Sequence, residues 1–254
     1  METQAPITLY SFGPAFGVPE LSPYCSKSEV QLQMAGLVYR VERAMPGDSP
    51  KGQLPFIEDA GVRIADSTFI RSHIEREYGI DLDAALDIRQ RAQAWAIERM
   101  VENQLMWALV YTRWLQPANF AKVAAHFFAG APDSVQADVQ AQVSERVHGV
   151  GLTRHSHAEI VELGARSLSA LSILLGDQPY LFGDQPSGTD AMVFSVLAGL
   201  MAPTFPSDLR REAESYPNLV AYVGRMMARY YPQQPWPGMG SDAGVAAVAE
   251  PALA

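Results

Sequence analysis

A single cysteine, Cys25, leaves no internal disulfide and no zinc site built on paired cysteines. Cations are also few: 19 Lys and Arg against 28 Asp and Glu give a formal charge of −9. Nucleic-acid binding needs clustered cations to displace counterions, so this balance argues against a nucleic-acid partner and disfavours an anionic membrane surface. No apolar run approaches the ~20 residues that a membrane helix requires. Met1 to Pro6 shows no basic stretch followed by an apolar one, so no signal peptide is expected. Together these absences predict a soluble cytoplasmic protein with no membrane partner. A small anionic ligand stays open, because a few local positive groups can hold one against the net charge.

About half of the 254 residues are apolar (48%), enough for a substantial core or two modest ones. Ile7-Thr8-Leu9-Tyr10 reads as a first strand, closed by Ser11-Phe12-Gly13-Pro14. A Gly- and Pro-rich loop follows to residue 21. Ser22 to Gly36 then reads as a helix, with Ser22 as N-cap, Pro23 in the first turn and Gly36 at the C-terminal end. Val38–Val41 is a second strand. Leu54-Pro55 leads into a third that ends at Asp59, and Gly61–Ala65 returns as its hairpin partner. Asp66 can cap a helix that runs to about Tyr78. The order is βαβ and then ββα over residues 1–80, with a boundary at 80–86. From there only helical periodicity is read, over 87–231. The tail, 232–254, is rich in Pro, Gly and Ala and is expected to be disordered.

Three short motifs could carry chemistry, and each has a plainer alternative. Ser22-Pro23-Tyr24-Cys25 opens a helix, where free N–H groups and the positive end of the dipole stabilise a thiolate and a hydroxyl can donate to it. A serine that merely caps its helix above a buried cysteine fits the same residues. Leu54-Pro55 at a strand start could present backbone groups to an extended ligand if its bond were cis, although trans is the commoner state. Asp66-Ser67 at a helix start could hold an amino-acid head group or simply cap the helix. Ser187-x-x-Asp190 is a capping box, read as structural. His155 and His157 have no cluster of acidic residues or cysteines beside them, so no metal is expected. Trp107, Tyr111 and Trp114 share a helical face that is either core or the wall of an apolar pocket.

In this order the motifs resemble the glutathione S-transferase superfamily over roughly residues 7–231. The closest likeness is to the failed-axon-connections and metaxin-like branch, carried by Leu21-Ser22-Pro23-Tyr24-Cys25, Ile64-Ala65-Asp66-Ser67, Trp107-Ala108-Leu109-Val110-Tyr111, Arg154-His155-Ser156 and Tyr216-Pro217-Asn218-Leu219. The resemblance implies an α/β thioredoxin-like N-terminal domain followed by an all-helical C-terminal domain, with glutathione as co-substrate and a homodimer. It implies that Ser22 supports the reactive sulfur, with Tyr10 and Cys25 as alternatives. Leu54 and cis-Pro55 would pair with the cysteinyl part of glutathione, and Asp66 and Ser67 would hold the γ-glutamyl group. Lys51 and Gln53 come into consideration for the glycyl end, and Trp107 and Tyr111 for a small hydrophobic electrophile. The turn also resembles the Cys-Pro-Tyr-Cys of glutaredoxins with the first cysteine replaced by Ser22, so dithiol exchange is not implied. The loop before Ser22 is longer than in most members, and the membrane anchor of some metaxins has no counterpart in the tail. The implied activity is glutathione transfer to an electrophile. The alternatives are a non-catalytic binding or adaptor protein and a thiol or peroxide reductase using Cys25.

Overall fold

The computed structural model describes residues 6–237. Four strands form one mixed sheet: β1 (Ile7–Ser11), β2 (Tyr39–Arg43), β3 (Phe56–Asp59) and β4 (Val62–Ala65), in the order β2-β1-β3-β4. β1 and β2 are parallel and joined through helix α1 (Pro23–Met34), while β3 runs antiparallel to β1 and β4 to β3. The β3–β4 hairpin closes on Ala60 and Gly61, both at positive φ (48° and 81°), as a tight two-residue turn requires. Helix α2 (Ser67–Tyr78) follows and ends on Gly79 in the left-handed conformation.

Alternation along the strands sets the two faces of the sheet. Ile7, Leu9 and Ile57 point to one side, where they pack with Leu32 of α1 and Ile70 and Ile74 of α2. Every one of these six side chains is at most 2% exposed. Burial of such a side chain contributes about 1.5–3 kcal/mol, so this small core is what holds α1 and α2 on the sheet.

The rest is helical. Ile88 to Leu115 is one continuous rod: α3 (Ile88–Met100), a π-helical turn (Val101–Leu105), α4 (Met106–Val110) and a second π-helical turn (Tyr111–Leu115). Around it stand α5 (Pro117–Phe127), α6 (Asp133–Gly149), α7 (His157–Leu175), α8 (Gly188–Leu200), α9 (Asp208–Glu214) and α10 (Pro217–Tyr230). All thirteen residues of α8 are buried, making it the centre of the larger core. Its start is the capping box expected from the sequence. The Asp190 carboxylate accepts from the Ser187 amide (2.7 Å), the Ser187 hydroxyl (2.9 Å), the Leu181 amide (3.1 Å) and the Tyr222 hydroxyl (3.0 Å).

The sheet unit and the helical unit are joined by apolar packing, with Val18 and Val30 in the large core, and by polar contacts. Lys27 of α1, with no exposure at all, donates to Glu98 (2.8 Å) and Glu102 (2.7 Å) on the rod. Arg99 bonds the same two carboxylates, and Arg71 of α2 bonds Asp83 (2.6 Å) and Glu75 (2.9 Å). Removing one partner from such a buried system leaves an uncompensated charge, at a cost of about 3–5 kcal/mol. Ser195 of α8 donates to Ser26, and Gln31 donates to the carbonyl of Gly188. A side chain at Gly188 would overlap the Arg71 guanidinium and displace it from its present place.

One element goes beyond the expectation. The sequence reading contains no helix at Asp208–Glu214, because α9 is only seven residues long and shows just Leu209 and Ala213 to the core. The tail expected to be disordered from Pro232 lies outside the described residues beyond 237. Before that point Trp236 is 7% exposed and packs into the large core.

Candidate functional site

The three motifs, far apart in sequence, converge. Ser22 sits at the N-terminus of α1, and Pro23 occupies the first turn. Beneath it, Cys25, Leu54, Phe56 and Ala65 form one small apolar cluster, with Tyr10 and Phe12 packed against it. The Leu54-Pro55 bond is cis. The Pro55 carbonyl accepts the amide of Asp66 (3.3 Å), so Leu54-Pro55 and Asp66-Ser67 are adjacent across the hairpin. Asp66 is exposed, at φ 84° and ψ 126°, a strained conformation for a residue with a side chain. Its carboxylate caps α2 by accepting from the Thr68 amide (2.9 Å), while Ser67 is buried just behind it. Lys51 lies at the rim, with its ammonium 4.2 Å from the ring centre of Phe69 in the first turn of α2, and Gln53 is exposed beside it.

The Ser22 hydroxyl makes no capping bond to its own helix. Ser22 still holds the N-cap position, its carbonyl accepting the Ser26 amide (2.9 Å), and its hydroxyl bonds the Cys25 thiol at the amide end of α1. Tyr10 has its ring stacked on Phe56 (4.2 Å between centroids, 8° between planes). Cys25 is fully buried, and burial, reinforced by Glu20, pushes its thiol well above the ordinary range. A thiol that is neither exposed nor ionised is a poor nucleophile.

Glu20 escapes the sequence reading because carboxylates are normally surface groups. It is 5% exposed and ties off the long loop before Ser22 by accepting from the amides of Gly13 (2.8 Å) and Ser22 (3.1 Å). Gly13 meets it at φ 79°, where a side chain would also crowd Arg43. Burial raises the Glu20 carboxyl from 4.5 to about 7, against the lowering effect of those two amides. A raised carboxyl keeps its proton in the folded state where the unfolded chain has released it. Its contribution to stability is therefore greatest below pH 4.5 and is lost as pH rises through about 7. The expected loss is ~3 kcal/mol. Glu20→Gln should lack this dependence, whatever constant offset it carries. Denaturant midpoints of both proteins between pH 4.5 and 8 check it; parallel stability curves would remove Glu20 as a titrating group.

The helical aromatics divide differently from the expectation. Tyr111 bonds the Nδ1 atom of His157 (3.2 Å), whose Nε2 meets Asp208 (2.9 Å). Two residues on, Arg113 points the other way, to the Leu21 carbonyl beside Ser22 (3.0 Å). Tyr111 is thus not brought to the Ser22 turn, and Trp107 packs on the large core. Phe127 of α5 does reach the loop before Ser22, meeting Phe12 and Phe16 of that loop at 6.5 and 6.4 Å. Trp114 stacks on Phe127 from behind at 6.5 Å. The i, i+4, i+7 spacing assumes a uniform helix, and the π-helical turn over Tyr111–Leu115 alters that phase. Among the described residues, no group of three or more His, Cys, Asp or Glu is arranged to hold a metal ion. None of their helices is long and apolar enough to cross a membrane.

Residues 23–119 match the glutathione S-transferase N-terminal domain, and residues 164–226 match the glutathione S-transferase C-terminal domain. The chain is 30% identical over 235 residues to the isoprene-epoxide–glutathione S-transferase of Rhodococcus, a match covering 88% of this chain and 99% of that protein. The chain belongs to the glutathione S-transferase superfamily. It is also 36% identical over 245 residues to Failed axon connections of Drosophila melanogaster, covering 89% of this chain but only 58% of that protein. Human Metaxin-1 is 28% identical over 249 residues, 92% of this chain and 52% of its own length. The chain thus spans a little over half the length of these last two relatives. Among solved structures, a glutathione transferase from Phanerochaete chrysosporium shares the fold at a TM-score of 0.63 and 18% identity, covering 90% of this chain and 98% of that one. A Ceriporiopsis subvermispora glutathione S-transferase, solved with glutathione, does so at 0.62 and 17%, covering 92% and 100%. The family carries the fold expected from the sequence, a thioredoxin-like unit followed by a helical one.

Proposed function

We propose that this chain binds glutathione and activates its thiol for attack on a small hydrophobic electrophile. What supports the reading is the convergence of Ser22, Leu54-Pro55 and Asp66-Ser67 at one end of the sheet. In this reading the γ-glutamyl head lies at Asp66 and Ser67, with the Asp66 carboxylate taking the ammonium and the first turn of α2 taking the carboxylate. The cysteinyl part runs along Leu54-Pro55, and the glycyl carboxylate reaches toward Lys51 and Gln53. The sulfur meets the Ser22 hydroxyl and the free amides of α1. The electrophile lies against Phe12 and Phe127 rather than Tyr111. The protein acts as a cytoplasmic homodimer in detoxification.

Isothermal titration with glutathione tests this reading. The unmodified protein should bind, and Asp66→Ala should weaken binding tenfold or more, the loss of a charge-assisted hydrogen bond. A second reading, a binding or adaptor protein without turnover, has the 36% identity to Failed axon connections in its favour. Absence of binding at millimolar glutathione would select it. The third, a reductase working through Cys25, is disfavoured by the burial of that thiol.

A further inference from the structure

Arg113 is a buried cation without a counter-ion. It is 6% exposed, sits in the π-helical turn of the rod, and forms no ion pair with any carboxylate among the described residues. One guanidinium nitrogen donates to the Leu21 carbonyl (3.0 Å) and the other to the Gly199 carbonyl (2.8 Å). Its Nε is buried and has no partner. The ring of Phe205 lies 5.1 Å away and helps shield the charge from water. Burial draws its pKa down only to about 10, so the side chain is still protonated at neutral pH.

Its location gives that charge a use. Leu21 is the peptide neighbour of Ser22. A side chain placed at Gly199 would stand 3.1 Å from Arg113 and 3.5 Å from Pro23, so the guanidinium lies directly behind Leu21-Ser22-Pro23. The other charged groups around the turn are spent or opposed. Lys27 is neutralised by Glu98 and Glu102, and Arg99 by the same pair. Arg43 lies against Gly13 at the far end of the loop. Glu20, Glu29 and Asp66 are acidic; Glu29 accepts from Tyr39 and Tyr231, and Tyr24 and Cys25 are buried acids that burial keeps protonated. A low-dielectric path from an unneutralised cation to a nearby anion is where a charge acts most strongly.

We propose that Arg113, a residue of the helical unit, is a positioning residue for thiol activation: it holds the Leu21 carbonyl so that Ser22 faces the ligand, and its uncompensated charge favours the thiolate form of the sulfur bound there. This rests on the glutathione reading above. The test follows the ultraviolet thiolate absorbance of bound glutathione against pH in the unmodified protein, Arg113→Lys and Arg113→Gln. Glutamine keeps a hydrogen-bond donor and loses the charge, whereas lysine keeps both. In Arg113→Gln the ionisation of the bound thiol should move up by about one pH unit, while Arg113→Lys stays close to the unmodified protein. Circular dichroism confirms folding, and Arg113→Met supplies the neutral comparison if Arg113→Gln does not fold. Coincident titrations for the neutral variant and the unmodified protein overturn the inference alone. So does an Arg113→Lys curve displaced as far as the neutral one. Failure of the unmodified protein to bind glutathione removes the glutathione reading, and this inference with it.

Discussion

Replacing Ser22 by alanine is expected to lower glutathione-dependent turnover by ~10²-fold or more, with little change in stability. The expectation of little structural cost comes from the hydroxyl making no capping bond to an α1 amide, so that only its weak bond to the Cys25 thiol is lost. The large kinetic cost comes from its place. A thiol with an ordinary pKa near 8.5 is only a few per cent ionised at neutral pH, and lowering that by ~2 pH units takes about 2.7 kcal/mol. One hydroxyl donor at a helix N-terminus can supply most of this. Steady-state kcat/KM with an epoxide or an activated aryl halide measures it, with Tyr10→Phe as the comparison. The Tyr10 ring stacks on Phe56, and if Ser22 is the donor, removing the Tyr10 hydroxyl should leave the rate nearly unchanged. Equal rates for Ser22→Ala and the unmodified protein would pass the role to Tyr10 or to backbone amides alone.

Asp190→Ala should be the most damaging single change to the fold, costing ~4 kcal/mol or more. The side chain is completely buried and accepts from four donors, two of them backbone amides. Burial pushes its carboxyl upward, and the four donors work against that. Each donor stranded without water costs about 1–3 kcal/mol, and the lost volume adds a cavity. α8 also loses its N-terminal stop in the middle of the large core. Urea denaturation midpoints would show the loss, and Asp190→Asn, which keeps one acceptor oxygen, should recover part of it. A loss under ~1 kcal/mol would mean that the capping box is dispensable.

What the sequence made legible was local. The Asp66 cap, the Ser187 box, the short hairpin and the long helices each follow from residues close together along the chain. The convergence of Ser22, Leu54-Pro55 and Asp66-Ser67 could be expected only through their order, because no spacing argument ties residue 22 to residue 66. Glu20, Lys27 and Arg113 went unread for one reason. Charged side chains are normally solvated, and nothing nearby in sequence announces that a segment far along the chain will cover them. Arg113 and Leu21 are separated by 92 positions. The bond of Tyr111 to His157 has no signature in the pattern of apolar residues, because its partner lies 46 positions along the chain. α9 was missed because two apolar residues in seven make less than a readable period.

Lys27 and its carboxylates have an evolutionary consequence. The positive member belongs to the sheet unit, and both negative members belong to the rod. Separated, the sheet unit would carry Lys27 with no carboxylate beside it, and the rod would keep two carboxylates against Arg99 alone. A chimera that joins this sheet unit to the helical unit of another transferase would inherit that imbalance unless the recipient rod carried acids at the positions of Glu98 and Glu102. The two halves are therefore constrained to be inherited, exchanged and redesigned together.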